Sequence, residues 1–137
     1  MATRKRKFGH FEYHEFEVKL ARAYDKIFGE MLDELVTDCW FNDIDKVKKT
    51  LGDPRGNTLL FIPRKVAIKT NLDAWMTPLM AACANGSQEI VEMLLKRHDA
   101  ITNIKFEADN MTALDWAHNN DHKNIVKLIE RKINPQL

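Results

Sequence analysis

Only two cysteines, Cys39 and Cys83, occur in 137 residues, too few to staple a small domain with disulfides. No apolar run approaches the roughly 20 residues that span a membrane, and the N-terminus lacks the apolar core of a secretory signal. A cytoplasmic or nuclear protein without membrane insertion is the expectation that follows. Signatures of catalysis are missing as well: no G-x-G-x-x-G, no Walker loop and no G-x-S-x-G is present. Gly52 and Gly56 bracket Asp53-Pro54-Arg55, which reads as a turn rather than a phosphate cradle. His10 and His14 are four apart, as are His118 and His122, but neither pair has the further ligands that a metal site needs. The chain is therefore expected to be no enzyme, with no catalytic residues, no cofactor, no metal and no small-molecule substrate.

Net charge is small too. The formal net charge is +1, yet Arg4, Lys5, Arg6 and Lys7 are cations in one cluster, and without those four the charge falls to −3. A body of that sign is a poor general binder of phosphate backbones, so a nucleic-acid ligand is not expected. The cluster reads either as a solvated, disordered tail over residues 1–8 or as a nuclear localisation signal.

Two stretches match at an offset of 35 residues. Thr77-Pro78-Leu79-Met80-Ala81-Ala82, Gly86 and Ile90-Val91-Glu92-Met93-Leu94 correspond to Thr112-Ala113-Leu114-Asp115-Trp116-Ala117, Asp121 and Ile125-Val126-Lys127-Leu128-Ile129. Self-similarity at this period marks a helical repeat array. Thr77 can cap a helix whose first residue is Pro78. Leu79, Ala82 and Cys83 follow at helical spacing, Asn85-Gly86 breaks the helix, and Ser87 opens a second one. Each unit is thus helix, tight turn, helix and connector.

The unit resembles the ankyrin repeat, whose T-P-L-H-x-A signature is met by Thr77–Ala82 with Met80 in the His position. The resemblance implies an all-α solenoid of stacked helix-turn-helix units joined by hairpins. A third, divergent copy lies upstream at an offset of 44, pairing Leu35 with Leu79, Cys39 with Cys83, Asn42 with Gly86 and Leu51 with Leu95. It lacks the Thr-Pro start. Both cysteines then hold one packing position, which favours reduced, buried thiols. About three repeats are expected, because fewer rarely bury enough surface. A single ankyrin-repeat domain over 9–137 follows: an N-terminal capping helix (9–30), a divergent repeat with a long hairpin (31–70), a clear repeat (71–105) and a C-terminal capping repeat (106–137).

Phe16, Leu20, Tyr24, Ile27 and Met31 recur three or four apart, as on an amphipathic helix that covers the apolar end of the stack or meets a partner. The segment between Leu51 and Thr77 is nine residues longer than its counterpart and contains two β-prone runs, Thr58–Ile62 and Lys65–Lys69, around Pro63-Arg64. They read as an enlarged hairpin with its turn at the proline, either a functional finger or a lengthened connector.

In ankyrin proteins, partners lie across the concave face and hairpin tips. Carried over, this implies exposed partner contacts at the end of each first helix, at Ala84 and Asn85, then Asn119 and Asn120, with Trp40 and Phe41 at the same place in the divergent copy. Trp40 and Phe41 are either interface aromatics or core that packs on the N-terminal helix. The tips contribute Ala74, Trp75, Met76, Asp109 and Met111. Trp75 stands where the family carries a glycine, so either the turn differs or strain is accepted; Asn110 takes that place in the later copy and tolerates positive φ. Trp75 with Met76 is the best exposed apolar pair, and Trp116 reads as core. The function implied is that of a monomeric protein-interaction module or adaptor. Two alternatives remain: an inhibitor that mimics a longer ankyrin protein, motivated by an apparently complete short array, and a nuclear factor working through the basic tail.

Overall fold

Asn42, Gly86 and Asp121 have φ angles of 58°, 74° and 58°. The left-handed region is open to glycine and tolerated by Asn and Asp. These three residues occupy the same turn of the three expected copies, so the backbone repeats where the sequence does. The structure is a computed structural model that describes residues 5–8, 11–57, 64–66 and 74–136.

In chain order the elements are β1 (Lys5–Phe8), β2 (Phe11–His14), α1 (Glu15–Trp40), α2 (Ile44–Gly52), α3 (Pro54–Asn57), β3 (Arg64–Val66), β4 (Ala74–Met76), α4 (Pro78–Asn85), α5 (Gln88–Leu95), α6 (Ala100–Lys105), α7 (Ala113–Asn119) and α8 (Lys123–Ile133). First helices α1, α4 and α7 pack side by side, and second helices α2, α5 and α8 form the layer behind them. Thr77 caps α4 by accepting the Met80 N–H at 3.2 Å, and Pro78 stands in the first turn. Thr112 and Asp115 close a reciprocal capping box at the start of α7, at 3.2 and 2.9 Å. The short α6 lies between the second and third copies and touches α5, α7 and α8.

The core runs between the two layers, through Leu35, Cys39, Val47, Leu79, Met80, Ile90, Val91, Leu94, Ile125 and Ile129. Every residue of α4 from Pro78 to Ala84 is buried, since it has a first helix on each side. The terminal helices have one such neighbour each, and their sequences register the difference. Where α4 carries Pro78, Ala81 and Ala82, α1 carries Glu34, Thr37 and Asp38; where α4 carries Met80, Cys83 and Ala84, α7 carries Asp115, His118 and Asn119. Both end faces of the stack are therefore polar, as in repeat arrays whose outer units face water.

Three sequence expectations change here. The segment expected as a separate capping helix is one with the first helix of the divergent copy: α1 runs 26 residues without a break. This explains the absent Thr-Pro start, because no helix begins there. At about 1.5 Å per residue, the part of α1 before residue 33 extends about 27 Å past the level where α4 begins. Ile27, expected on its buried stripe, is 71% exposed, while the side chains of Phe16, Leu20 and Tyr24 lie outside the described residues. The buried stripe is instead Leu32, Leu35, Val36 and Cys39, with Phe28 and Met31 packed beside it. Second, the enlarged hairpin pairs differently. β3 meets β4 antiparallel, Arg64 opposite Met76 and Val66 opposite Ala74, so Arg64, expected in the turn, is a strand residue instead. The run Thr58–Ile62 lies outside the described residues. Third, Lys5–Phe8 of the expected disordered tail form a strand paired with Phe11–His14.

Gly86 is the turn under most constraint. Its φ of 74° combines with a close approach, since a Cβ there would stand 2.6 Å from the His122 ring. Gly86→Ala is expected to destabilise the fold by about 1–3 kcal/mol in urea denaturation. In a His122→Ala background the same change should cost less, because the steric part is gone and the backbone part remains.

Candidate partner-binding surface

The residues expected to meet a partner fall on two edges at opposite ends of the first helices, roughly 12 Å apart along the eight residues of α4. The first edge follows the turns between first and second helices. Phe41, Asn85 and Asn120 are equivalent in the three copies and all exposed, as is Asn119. Phe41 is 52% exposed, while Trp40 beside it is half-buried and packs on the core. The two aromatics thus divide the alternatives, one facing solvent and one packed inward. Ala84, expected to be exposed at the place equivalent to Trp40, is instead buried, because α4 has a first helix on each side.

Hydrogen bonds fix this edge from one repeat to the next. The side-chain amide of Asn85 donates to the Trp40 carbonyl at the end of α1. Nε2 of His122 meets the Ala84 carbonyl at the end of α4, 3.1 Å away. Trp40 and Ala84 are equivalent positions, so α1 and α4 each have a terminal carbonyl satisfied by the repeat that follows. In the last copy, Nδ2 of Asn120 donates to the Trp116 carbonyl of its own helix at 2.9 Å. Behind Phe41 an open cleft of about 640 Å³ runs past Ile44 to Lys48 and Glu89, whose ion pair of 3.4 Å links α2 to α5.

The second edge is formed by hairpins. Ala108 and Met111 exchange backbone hydrogen bonds of 2.9 and 3.0 Å across Asp109 and Asn110, whose φ angles are 53° and 63°. Two left-handed residues in a two-residue loop make a tight hairpin turn, with Asn110 where it was expected. Asp109 is exposed and Met111 half-buried. The other hairpin is built differently. Trp75 lies in β4 opposite Lys65, with no positive φ, so it is no turn residue and no strain is stored there. It is half-buried. Met76 is the clear correction: expected as half of an exposed pair, it is fully buried, because alternation along β4 turns it inward. Ala74 opposes Val66. Trp116, expected as core, is half-buried against it.

Sequence reasoning missed the polar bond made by His122, although its place one residue after the left-handed Asp121 was the available signal. It also missed a cleft of about 840 Å³ between α1 and α2, lined by Ile27, Glu34 and Asp38 on one side and Lys46 and Lys49 on the other. Burial raises the Asp38 carboxyl above the usual range, partly offset by Lys46. Hydrogen bonds from Arg55 hold Asp53 below it. Cys39 and Cys83 are both buried, free thiols. Burial pushes each well above the ordinary thiol range, and the Asp38 charge adds to this at Cys39. Among the described residues, no group of three or more His, Cys, Asp or Glu could hold a metal ion, and no helix is long and apolar enough to cross a membrane.

A family model of ankyrin repeats matches residues 30–137 in three copies, the divergent upstream copy included. No curated protein and no solved structure matches the chain significantly.

Two outcomes follow from the burial pattern. Met76→Ala should destabilise the fold by about 2–5 kcal/mol on thermal or urea unfolding, whereas Trp75→Ala should lose about 1–2 kcal/mol and stay folded. Both thiols should resist alkylation in the native protein. The unfolded chain ionises its thiols above roughly pH 8.5 while the folded chain keeps them protonated. Thiol-dependent stability is thus present below that pH and lost as pH rises, a loss that Cys39→Ala/Cys83→Ala should reduce in denaturation series from pH 7 to 10.

Proposed function

Because the chain belongs to the ankyrin repeat family, whose repeats generally serve as protein–protein interaction modules, we propose that it is an adaptor that binds one protein partner along its turn edge and hairpin edge. The observation that supports this reading is Phe41. It is a large apolar side chain, 52% exposed, standing where the other two copies present Asn85 and Asn120. It is held at the end of a helix whose last carbonyls are tied down by the next repeat. Aromatic side chains on a rigid support are what interfaces use as anchors.

The inner face of the middle repeat contributes little, since Pro78 to Ala84 are buried. Contacts therefore come from the two rims: Phe41, Asn85, Asn119 and Asn120 on one, Trp75, Asp109 and Met111 on the other. A partner that also binds a longer ankyrin protein would be competed for by this chain, and displacement of that protein by the purified chain separates an inhibitor from an adaptor.

The test compares partners captured by the parent chain and by Phe41→Ala, with affinities then measured for each. Phe41→Ala should weaken binding tenfold or more, about 1.4 kcal/mol, with unchanged circular dichroism. Trp75→Ala should weaken it independently. Full affinity in both folded variants would contradict the proposal.

A further inference from the structure

From the part that extends beyond the stack to the end face that follows it, α1 presents one exposed face, which forms one wall of the cleft closed by α2, and its charges are sorted by sign. Lys19, Arg22 and Lys26 are exposed on its N-terminal side, Glu30 and Glu34 on its C-terminal side. These positions recur three and four residues apart, so they line one face of the helix. Between the two groups stands Ile27, 71% exposed and the most exposed large hydrophobic side chain among the described residues. The opposite face, Leu32, Leu35, Val36 and Cys39, is buried in the stack.

This order gives the helix little by itself. Within one helix a Glu placed four residues before a Lys is the favourable arrangement, and Lys26 with Glu30 is the reverse. A neighbouring helix that runs antiparallel and carries the same sequence would match it. With Phe28 at a two-fold axis, Lys26 faces Glu30 of the second copy, Arg22 faces Glu34 of the second copy, and the same contacts repeat on the other side. Ile27 of each copy then lies next to the axis, where water is excluded. A self-complementary patch of this kind is what a two-fold dimer requires.

We infer that this face of α1 is a homodimer contact in which two copies pair antiparallel about Phe28, joined by Ile27 and by reciprocal Arg22–Glu34 and Lys26–Glu30 ion pairs. The dimer departs from the monomer expected from sequence. It is independent of the partner-binding edges, which lie on the stack. Exposed ion pairs are screened by salt, so the association is weak and salt-sensitive.

Sedimentation velocity across protein concentration, at low and high salt, tests this with the full chain. The parent should dimerise at low salt and dissociate as salt rises. Arg22→Glu and Glu34→Arg should each weaken the dimer tenfold or more, and Ile27→Glu should abolish it, all with unchanged circular dichroism. The double variant Arg22→Glu/Glu34→Arg should restore association. Residues 22 and 34 are about 18 Å apart along the helix, too far for contact within one chain, so restoration reports pairing between copies. A monomer at every concentration would overturn the inference. So would a dimer indifferent to single charge reversal, or a double variant no better than either single one.

Discussion

The end of each first helix is the constraint on which the stack rests. A helix leaves its last carbonyls without partners, and here each must end abruptly so that the second helix can fold back. A left-handed residue makes the turn at Asn42, Gly86 and Asp121. In the first two copies the carbonyl two residues before it is then taken by the next copy: Trp40 by Asn85, and Ala84 by His122. One place in the repeat thus reverses the chain, satisfies the helix end and joins neighbours. Gly86 shows how tight the arrangement is, since the His122 ring fills the space that a side chain would need.

The same constraint places the functional surface. Holding the helix ends in register lines up Phe41, Asn85 and Asn120 on one rim, and the hairpin turns on the other. Small residues in α4 allow the first helices to approach closely, which buries the inner face of the middle repeat. Recognition is thereby moved to the rims. The polar substitutions at the two ends, Glu34, Thr37 and Asp38 at one and Asp115, His118 and Asn119 at the other, are the counterpart of that close packing, because they mark where it stops.

Much of this was legible in sequence wherever local chemistry repeats. Thr77-Pro78 and Thr112 with Asp115 announce helix starts, and the 35- and 44-residue offsets put Asn42 and Asp121 opposite Gly86 before any coordinate did. Legibility failed where the outcome depends on packing. Met76 and Trp75 are equally apolar neighbours, and only the pairing of β4 with β3 decides which turns inward. Ile27 fits a three-four stripe with Met31, yet the buried stripe is rotated from it, because the residues by which α1 enters the core are Leu32, Leu35, Val36 and Cys39. The missing Thr-Pro start of the divergent copy was visible, but nothing local in the sequence joins its first helix to the residues before it, as α1 does.

Native-state hydrogen exchange followed residue by residue is the most direct test of a stack held together at its helix ends. The amides of α4, buried between α1 and α7, should exchange only through global unfolding, while residues 15–30 of α1 should exchange through smaller, local openings. Gly86→Ala should lower protection in α4 and α7 together, since the strained turn lies in one repeat and the displaced His122 in the next. Loss confined to α4, or an α4 less protected than α7, would contradict the account.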